Sequence, residues 1–135
     1  MQRLYETHNF TLDYDPHRSL AIQHWFGNMT EEEYKANMHI LVEWMLKLPG
    51  VRFTLVYPNL NFPITPDLQE WTKLNVFEPT AHKGLEKAAF IVPPAVFEQI
   101  MIEFLSVEQT MEEAHGIFQV KYFTSEEEAF KWFSK

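Results

Sequence analysis

Apolar and polar positions alternate with two periods along this chain, and the switches between them mark out its elements. Residues 9–14 (Asn-Phe-Thr-Leu-Asp-Tyr) place an apolar side chain at every second position, as a strand with one buried face requires. Asp15-Pro16-His17-Arg18 supplies turn residues, and Ser19–Trp25 resumes the strand pattern, so a hairpin is expected here. The period then changes. Thr30-Glu31-Glu32-Glu33 is a capping box, in which Thr30 accepts from the third helical amide and Glu33 reaches back. Tyr34, Met38, Leu41, Val42, Met45 and Leu48 follow at helical spacing until Pro49-Gly50 stops the helix.

Val51–Tyr57 is β-branched and aromatic and predicts the next strand. A loop over Pro58–Ile64 leads to Thr65-Pro66, a cap followed by proline at the first helical position, and a short helix over about Pro66–Lys73. Residues 75–86 read as irregular. Lys87–Val92 is expected as a buried strand closed by Pro93-Pro94. Phe97, Ile100, Met101, Phe104 and Leu105 mark one face of a helix that continues or kinks through Val107–His115 and ends at Gly116. Ile117–Tyr122 alternates as a strand, Thr124-Ser125-Glu126-Glu127 is a second capping box, and Ala129, Phe130 and Phe133 face inward from the last helix.

The expected order is therefore β-β-α-β-α-β-α-β-α over residues 1–135 as one domain. Strands separated by helices imply right-handed crossovers, so the fold class is α/β, a mixed and mostly parallel sheet. The first strand, 9–14, is expected to run antiparallel at its edge. Trp25–Met29, Pro58–Ile64, Pro93-Pro94 and Phe123 should then lie along one end of the sheet, where open α/β folds place their sites.

Composition narrows what such a site does. The 19 acids outweigh 11 Lys and Arg to give a charge of −8, and the bases are scattered, which argues against nucleic acid and anionic membrane surfaces. The longest apolar run, Ala88–Phe97, contains two prolines and falls far short of the ~20 residues that span a bilayer. The polar first residues show no signal-peptide pattern, and with no cysteine the chain is expected in the cytoplasm.

Catalytic patterns are missing too. Gly27, Gly50, Gly84 and Gly116 are isolated, so no phosphate-cradling loop forms. No serine sits in a nucleophile elbow. His8, His17, His24, His39, His82 and His115 include no pair at the spacing of a helical zinc site. No enzyme activity, metal or cofactor is expected. Trp25, Phe26, Phe62, Trp71 and Phe77 lie in or beside loops, where they cap the core, line an apolar pocket or form a partner surface.

Three segments carry a resemblance. Trp25-x-Gly27-x-Met29-Thr30-Glu31-Glu32-Glu33-Tyr34, Ala88-Ala89-Phe90-Ile91-Val92-Pro93 and Phe123-Thr124-Ser125-Glu126-Glu127-Glu128-Ala129-Phe130-Lys131-Trp132-Phe133 follow one another in order. Together they resemble STAS-like domains of the sporulation anti-sigma-factor-antagonist type, distantly similar in shape to CRAL-TRIO lipid-transfer domains. The resemblance implies a non-catalytic regulatory module that binds a protein partner, with Asn59, Asn61, Phe62 and Thr65 as candidate contacts. The established antagonists switch by phosphorylation of a hydroxyl after an Asp. Residues 57–65 have no such pair, and Thr65 is needed as a cap. The lipid-transfer likeness and the loop aromatics suggest the alternative of a small apolar ligand held by Trp25, Phe62, Trp71 and Phe77. A homodimer is a further expectation, from an edge strand and surplus aromatics.

Overall fold

Six strands form one mixed sheet in chain order in the computed structural model, which describes residues 1–99 and 118–135. They are β1 (Gln2–Glu6), β2 (Phe10–Asp15), β3 (Leu20–Trp25), β4 (Phe53–Tyr57), β5 (Lys87–Ile91) and β6 (Gln119–Phe123). The first three pair antiparallel, and β3 through β6 run parallel. Val56 lies beside Phe90 and Phe90 beside Tyr122, so the carboxyl ends of the parallel strands share one end of the sheet.

The period-two alternation sorts the strands into two faces. Phe10, Leu12, Tyr14, Ala21, Trp25 and Val56 belong to a first core. Leu20, Ile22, Phe53, Leu55 and Ala89 belong to a second, on the opposite face. Helices α1 (Glu31–Lys47) and α2 (Pro66–Thr72) cover the first face, and α5 (Glu126–Phe133) covers the second through Ala129 and Phe133. The sheet advances in one direction from β3 to β5, so two crossovers of one hand bring α1 and α2 to the same side.

Local chemistry sets the helix ends. Thr30 Oγ1 accepts from Glu33 N–H at 3.1 Å, while the Glu33 carboxylate accepts from Thr30 N–H at 2.9 Å, completing the expected box. Thr65 Oγ1 accepts from Leu68 N–H at 3.2 Å, with Pro66 following. In α5 the cap is Ser125, not Thr124. Its hydroxyl accepts from Glu128 N–H at 3.3 Å, one residue later than the sequence suggested.

Two differences from the sequence reading matter. Strand β1 was not expected, and it displaces 9–14 from the edge: β2 is sandwiched between β1 and β3. Its register shifts between Arg3 and Tyr5, leaving Leu4 as an extra residue, and both Leu4 and Tyr5 pack on the first core. A bulge of this kind removes the alternation that reveals a strand. The stretch expected to be irregular is partly helical. A wider π turn over Lys73–Phe77 continues α2 and runs into α3 (Glu78–Thr80). Residues 94–99 are helical (α4). The remaining expectations for 100–117 lie outside the described residues. No described helix is long and apolar enough to cross a membrane.

Candidate functional site: an apolar cavity beneath the helices

The first face of the sheet does not meet its helices everywhere. A cavity of about 270 Å³ lies between them. Its floor comes from alternate residues of adjacent strands: Gln23 and Trp25 of β3, Thr54 and Val56 of β4, Ala88 and Phe90 of β5, and Tyr122 of β6. The roof is the inward stripe of α1 (Tyr34, Met38, Leu41, Val42 and Met45) with Thr72 of α2. Val76 and Phe77 of the π turn and Thr80 of α3 close one side. Met29, Pro58, Asn59, Phe62 and Ile64 border it at the carboxyl end of the strands.

The loop edge is tied together from within. Asn59 Nδ2 donates to Gly27 O at 2.8 Å, linking the loops that follow β3 and β4. Gly27 has φ +72°, a conformation that favours glycine, and this turn presents the carbonyl to Asn59. The Phe62 ring stacks on Tyr34 at 5.2 Å, and Trp25 packs on Tyr34 at 5.7 Å.

Sequence reasoning named four pocket aromatics, and three of them, Trp25, Phe62 and Phe77, line this cavity. Trp71 does not. Its ring packs behind Tyr34 at 6.2 Å, meets His39 edge-on and lies beneath the Lys35 ammonium. Of the four candidate partner contacts, Asn59 and Phe62 border the cavity. Asn61 is exposed, its N–H donating to Asn59 Oδ1, and Thr65 is the cap of α2.

The sequence reading passed over the polar groups of the cavity. Trp25 Nε1 donates to Gln23 Oε1 at 3.0 Å, Gln23 Nε2 donates to Thr54 Oγ1 at 2.8 Å, and Thr54 Oγ1 donates to Ala21 O at 3.0 Å. On the roof the Tyr34 and Thr72 hydroxyls are 2.8 Å apart, and Thr72 donates to Leu68 O at 2.8 Å. A signal existed: Gln23 and Thr54 are polar residues at inward positions, in line with the apolar Ala21, Trp25 and Val56.

None of the described lining residues is Asp, Glu, Lys, Arg or His. Burial pushes the Tyr122 hydroxyl up to about 12, and it raises Tyr34 as well, offset in part by the hydrogen bond to Thr72. Both phenols are therefore neutral at physiological pH. Elsewhere His8 pairs with Glu33 at 2.9 Å, and His24 stacks on Tyr57 at 4.3 Å on the other face of the sheet. Among the described residues no three His, Asp or Glu side chains gather to hold a metal.

Fold and cavity together define an α/β domain with an apolar chamber under its helical layer, uncharged among the described residues. Comparison with known proteins places it no further: no family model, no curated protein and no solved structure matches the chain.

Proposed function

We propose that this protein binds a small apolar molecule in the cavity between its sheet and the α1–α2 layer. The cavity carries this reading. Protein interiors are close-packed, with few voids larger than a water molecule. An apolar cavity of about 150 Å³ stays dry and accepts a ring the size of benzene. The chamber here is larger, about 270 Å³, and its polar groups are mostly committed to one another. Water would find few partners in it, whereas an apolar guest regains lost dispersion contacts.

A second reading is a non-catalytic STAS-like module that engages a protein partner through the loop edge. Phe26, Leu60 and Ile64, exposed by 42%, 50% and 40%, stand on the loops that leave β3 and β4 and favour it. The resemblance of the three segments adds to it.

Native mass spectrometry of the protein as purified separates the two. The expected result is an extra mass of roughly ten to a dozen non-hydrogen atoms, lost on denaturation. A clean mass, with no shift in melting temperature from any small apolar probe, would remove the ligand reading. The loop-edge module would then be the better account.

A further inference from the structure

The hydrogen-bonding capacity left over in the cavity specifies what kind of molecule it takes. The inference rests on the ligand-binding reading above and goes beyond it to the chemistry of the guest. A threonine hydroxyl has one hydrogen, and Thr72 gives its own to Leu68 O at 2.8 Å. The 2.8 Å contact between Tyr34 and Thr72 is therefore donated by Tyr34. That leaves the Tyr34 oxygen with an unused acceptor position beside Thr72, and both residues line the cavity roof. On the floor, Thr54 is committed twice, accepting from Gln23 and donating to Ala21 O. Gln23 spends one amide hydrogen on Thr54 and its oxygen accepts from Trp25, which leaves its second amide hydrogen to donate to a guest's oxygen, ether or hydroxyl alike.

We infer that the cavity holds an uncharged, largely apolar molecule of about ten to a dozen non-hydrogen atoms with one hydroxyl, whose hydrogen the Tyr34 oxygen accepts. The lining disfavours an ionised group inside the cavity, because a carboxylate or ammonium buried there would meet no opposite charge among the described residues. A pure hydrocarbon would fill the space but leave the Tyr34 acceptor unused. Aliphatic alcohols of medium chain length and small phenols meet all the requirements.

A matched series on the unaltered protein tests this by calorimetric titration at pH 8, below micellar concentrations. The probes are 1-decanol, decyl methyl ether, decanoate and decylammonium, which share a chain and differ at its end. The alcohol should bind at least about tenfold more tightly than either ion. It should also bind about three- to tenfold more tightly than the ether, which lacks the hydrogen. In Tyr34→Phe the gap between alcohol and ether should narrow.

Equal binding of the ions would overturn the neutral class and leave a ligand cavity standing. Equal binding of alcohol and ether by the unaltered protein would overturn the hydroxyl assignment. No binding by any probe, together with a clean native mass, would remove the ligand reading itself.

Discussion

Asn37 is polar, almost fully buried and set in the apolar stripe of α1, three residues from Tyr34 and four from Leu41. Its Nδ2 donates to Asn9 Oδ1 at 2.9 Å, and Asn9 is 1% exposed, so α1 and the turn between β1 and β2 are joined by a bond screened from water. Thr7 Oγ1 also donates to Asn9 Oδ1 at 3.1 Å, so removing Asn37 takes away one of two donors, and leaving a buried acceptor short of one costs about 1–3 kcal/mol. Asn37→Ala should lower stability by about that amount, read as a fall in the urea midpoint with little change in slope. Asn37→Asp should cost more, because a carboxylate sets acceptor against acceptor at Asn9. A loss no larger than that of an exposed α1 position such as Glu43→Ala would refute the role of this bond. Asn37 went unread because periodicity scores apolar residues. A polar residue on the buried stripe registers as a gap, although its position is the clue. Gln23 and Thr54 were missed for the same reason. Trp25, Phe62 and Phe77, which line the cavity, were legible as candidates because large rings beside loops stand out by type. Trp71 packs outside the cavity, a placement that residue type alone does not reveal.

At the scale of elements, the start of α1 shows how much a local pattern fixes. The Glu33 carboxyl sits below its ordinary range, first because it accepts from Thr30 N–H, with the Thr30 hydroxyl and then His8 adding to the effect and desolvation opposing it. A carboxyl lowered on folding contributes stability above its unfolded value, and that contribution is lost as pH falls through the folded value. The unaltered protein should therefore melt above Glu33→Gln at pH 7. The difference should shrink as pH falls through the carboxylate range and vanish once Glu33 is protonated. A gap independent of pH would show that the charge has no part in it. The two caps at Thr30 and Thr65 were legible because a capping motif is completed within four residues. Strand β1 was not, because it is specified across strands. Its bulge at Leu4 breaks the alternation, and only pairing with β2 explains why Leu4 and Tyr5 both turn to one core. The π turn was hidden in the same way. It is visible as a longer hydrogen bond, from Glu78 N–H to Lys73 O, and not as a residue pattern.

Across the whole molecule, the two faces of the sheet are packed to different degrees, and neighbouring alanines of β5 report on the difference. Ala88 is 3% exposed and borders the cavity on the first face. Ala89, fully buried, points to the second face, into the cluster of Leu20, Ile22, Phe53 and Leu55 under Ala129 and Phe133. There Phe133 stacks on Phe53 at 4.8 Å. Valine at either position has the same strand propensity and adds the same two methyl groups, so the outcomes differ only through the space each face offers. On the packed side, added volume forces side chains from their rotamers, and Ala89→Val should destabilise by about 1–3 kcal/mol. On the cavity side it removes apolar surface from an unfilled space, and Ala88→Val should be neutral or stabilising, at about 0.8 kcal/mol per methyl group buried. Denaturant unfolding of the two variants checks this directly. Equal losses would mean that the first face is as tightly packed as the second and has no room for a guest. A stabilised Ala88→Val that also weakens 1-decanol binding would show that the added methyl groups and the alcohol occupy the same space, which ties the uneven packing of the sheet to what the protein binds.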